Sequence, residues 1–297
     1  MDTPQTPIPQ HSYANFAPAP SASGVVDPDN PPWGLFGALG LLIVSFLLMV
    51  AAQVTFLLPY AVRRGIPFTP EAIAQFATKD PNALFVQVVA ILPAHVLTLG
   101  LAWLIVTRGG KHPFLRTLGW EWGAGLTFWR CAGLAVLLLL VGMGIIWLTG
   151  KPDNALERLL ESSRSAALAT AFAATFTAPL VEEIMFRGLL YSALRRLVGT
   201  ALAVAVVMLI FAAIHVPQYW PSYGVIATIL LLSFVLTAIR ARTGSLLPCF
   251  IIHLIFNGIQ SVLIVLSPYI EQPTTPVAPP VTSLVLPVFE LLARNSW

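Results

Sequence analysis

The sequence predicts an all-α protein, a polytopic membrane helix bundle of seven or eight transmembrane helices. Three observations carry that expectation. Of 297 residues, 57% are hydrophobic and only 10% charged, whereas a soluble domain carries about 25% charged residues. The mean hydropathy is +0.81. The apolar residues also gather into eight runs, most of them near the roughly 20 residues that a helix needs to cross a bilayer. This composition excludes a soluble globular enzyme and, away from the ends, a disordered chain. The formal charge of +3 is scattered over short loops rather than held in a basic block, which speaks against a nucleic-acid surface and leaves membrane lipids as the surroundings.

Residues 1–33 are rich in Pro, Ala and Ser and contain no Lys or Arg, so they read as a flexible tail ahead of an integral membrane domain at 34–297. No basic stretch precedes a short apolar core at the N-terminus, so no cleaved signal peptide is expected. The first run, 35–58, is followed by a polar loop with Arg63, Arg64 and Lys79, and the second, 83–106, by a basic loop with Arg108, Lys111 and Arg116. A third covers 131–148. Residues 154–165 then alternate Leu156, Leu159 and Leu160 with Glu157, Arg158 and Glu161 at helical spacing, the pattern of an amphipathic helix lying along the interface. Further runs at 166–194, 201–214, 225–239 and 246–266 precede a short last one at 281–293, interrupted by Pro287.

If all eight runs span and the N-terminus is cytoplasmic, nine Lys and Arg residues fall in inside loops, Arg240 among them, against six outside, with Arg187 left out as intramembrane. The positive-inside rule then favours that orientation. Cys131 and Cys249 sit in separate apolar runs with no metal-ligand spacing and read as small buried hydrophobes.

The fourth run contains charges that lipid does not tolerate. It reads AALATAFAATFTAPLVEEIMFRGLLYSALRR, with Glu182, Glu183 and Arg187 well inside it. Each such charge at mid-membrane costs about 2.5–3.5 kcal/mol, against about 0.3–0.6 kcal/mol returned by each strongly apolar neighbour. This helix must therefore face protein or a wet cavity. Two later spans carry polar pairs four residues apart, Phe211 with His215 and His253 with Asn257, and that spacing puts both members on one helical face. By the same spacing Glu183 and Arg187 pair along their own helix. Glu182, about 100° round the helix from Glu183, is left available for chemistry. Pro179 removes a backbone donor just before the carboxylates and kinks the helix there. The single polar residues Gln53, Gln87, His95 and Gln260 read as interhelical packing, as do Ser245 and Ser261. Two carboxylates, an Arg, two His and an Asn on three spans read instead as a functional site.

EEIMFRG at 182–188, FAAIH at 211–215 and HLIFN at 253–257 resemble, in order and spacing, the three membrane-helix motifs EExxxR, FxxxH and HxxxN of the CPBP family, the CAAX-protease and bacteriocin-processing (Abi) intramembrane proteases. GSLLPCFIIH at 244–253 has the family's look as well, and the resemblance covers a motif-bearing core at 166–265. It implies an intramembrane endopeptidase of the CAAX prenyl endopeptidase type. The implied setting is a multi-pass protein of the bacterial inner membrane, and the implied partner is a peptide or protein substrate, lipidated in the prenyl-processing members.

Amide hydrolysis needs an activated water, a group that takes and returns its proton, and donors for the oxyanion. Glu182 suits the general base, His215 the positioning of the water, and His253 with Asn257 the oxyanion donors. Glu183 and Arg187 form a supporting pair, with Phe211 completing the second motif. A metal version uses Glu182, His215 and His253 as ligands of one divalent ion such as zinc; a metal-free glutamate mechanism uses the same residues, and both stay open at this point. Two other classes compete. An ion- or proton-coupled transporter predicts a second EExxxR-like segment in a repeated half, and the sequence has none. A non-enzymatic scaffold or bacteriocin-immunity factor of the same fold predicts that Glu182→Ala leaves its biological activity intact.

Overall fold

The computed structural model describes residues 30–270 except 124, 151 and 153, and no strand occurs among the described residues. Helix α1 (Leu35–Arg63) packs along α3 (Pro81–Thr107). Between them, the segment expected to be a polar loop contains a ten-residue helix, α2 (Pro70–Lys79). Local chemistry explains it. Thr69 caps the helix by accepting from the Ala72 N–H, and Pro70 stands in its first turn, where a missing N–H costs nothing. Asp80 and Pro81 start α3 in the same way, the Asp80 carboxylate accepting from two backbone N–H groups at 2.9 Å. After the single turn α4 (Phe114–Thr117), α5 (Phe128–Thr149) lies against α10 (Tyr223–Thr243) and α11 (Leu247–Ile270). The amphipathic stretch forms α6 (Ala155–Ser162), which ends where Ser163 caps the next helix.

Among the described residues six helices are long and apolar enough to cross a membrane, one of them a 56-residue stretch, Arg164–Tyr219. That stretch is composite. It runs through α7 (Arg164–Phe172), a first π-helical turn π1 (Ala173–Thr177), α8 (Ala178–Glu182), a second, π2 (Glu183–Leu190), and α9 (Tyr191–Tyr219). Helix α9 breaks at Gly199, with φ 78° and ψ 171°, a conformation open to glycine and strained for any L side chain. The break divides the stretch into arms that correspond to the fourth and fifth apolar runs. These six helical stretches thus hold seven of the eight runs, and the eighth, at 281–293, lies outside the described residues.

Two readings of the sequence change. Trp33, assigned to the flexible tail, is buried against the bundle, and its indole N–H donates to the Leu189 carbonyl at 3.2 Å. Arg240, counted as a loop charge, is fully buried. Near the end of α10 and two residues from Arg242, it looks solvated in sequence, but the rotation of the helix turns it into the bundle.

Glycine lets α5 and α10 approach closely. A Cβ at Gly224 of α10 would stand 3.0 Å from the Ile146 Cα and clash with the Thr149 hydroxyl of α5. Association inside a bilayer depends on such close backbone approach. Gly224→Leu is therefore expected to destabilise the bundle by about 1–3 kcal/mol, read as a lower melting temperature in detergent. Gly133→Ala, at a position with nothing within 4 Å, should melt like the unaltered protein, and equal melting of both variants would refute the account.

Candidate active site

The site is assembled on the composite helix. Glu182 closes α8 and Glu183 opens π2. The Glu183 carboxylate has no exposed surface, whereas the Glu182 side chain is 20% exposed. π-Helical turns of this kind are rare and gather at functional sites. Here their carbonyls are served by side chains from elsewhere in the fold: Trp33 at Leu189, Arg240 Nε at Arg187 (3.2 Å) and Asn257 Nδ2 at Ala174 (2.9 Å).

The last of these has a specific cause. In π1 the Ala178 N–H donates five residues back to the Ala173 carbonyl. The next donor in that register would be residue 179, reaching the Ala174 carbonyl, but residue 179 is proline and has no N–H. Asn257, from α11, supplies the bond that Pro179 cannot make. The kink expected at Pro179 therefore takes the form of a wide turn held from outside.

Glu183 binds on two sides through one oxygen. Oε1 accepts from Arg187 Nη1 at 3.0 Å and from His253 Nδ1 at 2.7 Å. Its other oxygen, also buried, has no hydrogen-bond partner among the described residues. Arg187 is fully buried and reaches α10, donating from Nη2 to the Ser233 hydroxyl (2.8 Å) and carbonyl (3.2 Å) and from Nε to the Thr237 hydroxyl (3.3 Å). Its guanidinium also lies over the Phe211 ring, 4.4 Å from the centroid, a favourable cation–π arrangement. Phe211 is thus a platform: Phe186 meets it edge-on, and the His215 and His253 rings lie 4.7 and 6.0 Å away.

The histidines are oriented by what their Nδ1 atoms meet. His215 Nδ1 is 2.7 Å from the Phe211 carbonyl; a carbonyl only accepts, so Nδ1 carries the hydrogen and Nε2 of the neutral ring is left as an acceptor. His253 Nδ1 faces the Glu183 carboxylate, and its Nε2 stands 3.7 Å from Glu182 Oε2. Glu182, Glu183, Arg187, Phe211 and His253 form one connected group, which His215 joins through Phe211 and Asn257 adjoins through π1. Among the described residues no group of three or more His, Cys, Asp or Glu is arranged to hold an ion.

Four contributors escaped the sequence reading. Ser233, Thr237 and Arg240 line one face of α10 at spacings of four and three, and all are fully buried against π2. That periodicity in an apolar span was the available signal. Tyr219 continues the Phe211–His215 face of α9 and lies against the His215 ring. Of the residues assigned to packing, Gln87 joins α3 to α2 through the Ala77 carbonyl, and Ser261 accepts from Thr175. Both cysteines are buried and free.

A family model described as type II CAAX prenyl endopeptidase, Rce1-like, matches residues 164–259. The matched segment opens at α7, closes within α11 and contains all three motifs. It agrees with the CPBP resemblance and, with six membrane-length helices, supports a multi-pass membrane peptidase. No curated protein and no solved structure matches the chain.

Proposed function

On the premise of an Rce1-like segment at 164–259, we propose that the protein is an intramembrane endopeptidase acting on lipidated peptide or protein C-termini by a glutamate mechanism. The observation that carries this reading is the Glu182 carboxylate, partly exposed and 3.7 Å from His253 Nε2, beside a Glu183 carboxylate engaged with Arg187 and His253. Adjacent carboxylates in unlike surroundings favour a division of labour, one reactive and one structural.

Glu182 takes a proton from water as the water oxygen bonds to the scissile carbonyl carbon. His215, with Nε2 as acceptor, orients that water. The oxyanion formed at the carbonyl receives hydrogen bonds from His253 Nε2–H and from the second amide hydrogen of Asn257, the first being engaged at Ala174. Donation from both ring nitrogens, Nδ1 to Glu183 and Nε2 to the oxyanion, requires that His253 carry a hydrogen on each during this step. When the C–N bond breaks, Glu182 returns the proton to the leaving amine. No step runs through a metal.

An apolar groove supports a lipidated substrate. It is open and offers about 400 Å³ between α3 and α7, lined by Phe85, Val88, Leu92, Leu168 and Phe172 among others. Phe172 precedes Glu182 by ten residues on the same composite helix. A hydrocarbon chain seated there leaves the attached peptide within reach of the carboxylate. On the CPBP resemblance, the expected setting is the bacterial cell membrane.

The test uses detergent-purified protein and matched peptides ending in a CAAX sequence, one farnesylated and one not, with product masses read with and without a strong chelator. The expected result is release of the C-terminal tripeptide from the farnesylated peptide and indifference to the chelator. Loss of activity on chelation would replace the glutamate mechanism by a metal one. Equal cleavage of both peptides would remove the lipid requirement, and cleavage of neither would overturn the reading.

A further inference from the structure

His95 lies in α3, outside the matched segment and outside every motif. It is 7% exposed, and a buried imidazole needs polar partners to repay its lost hydration. Its Nδ1 lies 2.9 Å from the Thr177 hydroxyl. Thr177 gives its own proton to the Ala173 carbonyl at 3.2 Å. A hydroxyl has one proton, so Thr177 accepts from His95 and Nδ1 is the donor.

The position of Thr177 makes this bond consequential. It is the last residue of π1, two before Pro179 and five before Glu182. The turn it closes lacks one backbone hydrogen bond because of the proline, and a helix is softest where its ladder is interrupted. Side chains grip that turn from two directions: Asn257 and Ser261, from α11, at Ala174 and Thr175, and His95, from α3, at Thr177. Helix α3 also packs against π1, α8 and π2.

We propose that His95 is a positioning residue, clamping the π1 turn through Thr177 so that α8 aims the Glu182 carboxylate at the attacking water. The proposal rests on the peptidase reading for its kinetic consequence. Its structural consequence stands independently of any substrate.

The experiment compares His95→Leu, Thr177→Val, the double variant and His95→Asn, an amide that can present its N–H near the position of Nδ1. Turnover of the farnesylated peptide is measured beside hydrogen–deuterium exchange of peptides covering 173–182 and melting in detergent. His95→Leu is expected to lose about 10-fold in kcat, as small misplacements of a catalytic group do, with KM and melting temperature held. Thr177→Val should match it, the double variant should be no worse than either single, and His95→Asn should recover most of the rate. Exchange in 173–182 should rise several-fold in the first three and stay low in His95→Asn. Unchanged exchange in His95→Leu would overturn the clamp. Faster exchange with unchanged kcat would reduce His95 to a packing residue and overturn the positioning role. If the unaltered protein cleaves nothing, the peptidase reading fails, while exchange still decides whether the clamp exists.

Discussion

Glu182→Gln is expected to fold and melt as the unaltered protein does while its kcat/KM on the farnesylated peptide falls by about 100- to 10,000-fold, the range contributed by a general base. The substitution keeps size and polarity and removes only the capacity to take a proton. It spares the fold because Glu182 is the partly exposed member of the pair, standing 3.7 Å from His253 Nε2, whereas Glu183 carries the buried bonds. The loss should appear in kcat, since proton transfer occurs in the transition state and not in substrate binding. Undiminished turnover by purified Glu182→Gln would remove Glu182 as the base and, with it, the proposed mechanism.

Arg187→Met should produce the largest loss of stability, about 3–5 kcal/mol, the usual cost of leaving one member of a buried ion pair without the other. Glu183 has no exposed surface, and one of its oxygens has no hydrogen-bond partner among the described residues. Without Arg187 the Glu183 carboxylate keeps, among the described residues, only its hydrogen bond with His253. The bonds from Arg187 to Ser233 and Thr237 and its contact with the Phe211 ring are lost as well. The diagnostic variant is the double one. Glu183→Gln with Arg187→Met removes both charges, and a neutral pair of similar volume is often tolerated where a lone charge is not. Melting temperatures in detergent for the two single variants and the double should therefore show strong coupling, with the double more stable than Arg187→Met alone. An Arg187→Met protein that melts with the unaltered one would show that the pair carries no structural load.

How far each residue was legible from sequence follows from the range of its interactions. Glu183 and Arg187 are four apart and joined on one helix, so local spacing sufficed to pair them. His95 reads as packing in the sequence because a single histidine in an apolar helix carries no pattern; its partner is 82 residues away. Arg240 looked like a loop charge because it lies three residues before the end of α10, and only the rotation of α10 against π2 reveals that it serves the Arg187 carbonyl. Asn257 was legible as a site residue through its spacing from His253. Its bond to Ala174 was not, because that bond arises from the register of π1 meeting a proline on another element.

By itself the sequence determined the solvent, the helical class and the identity of the polar cluster. These rest on quantities additive along the chain: transfer free energies that no water offsets in a bilayer, and a helical period that puts residues four apart on one face. The tertiary structure decided which carboxylate is buried, where α9 breaks at Gly199, that two turns widen to π, and which distant side chains hold those turns. Those outcomes depend on how the helices rotate against one another. A buried carbonyl or charge takes the nearest donor that packing offers, and packing is settled between helices rather than within any one of them.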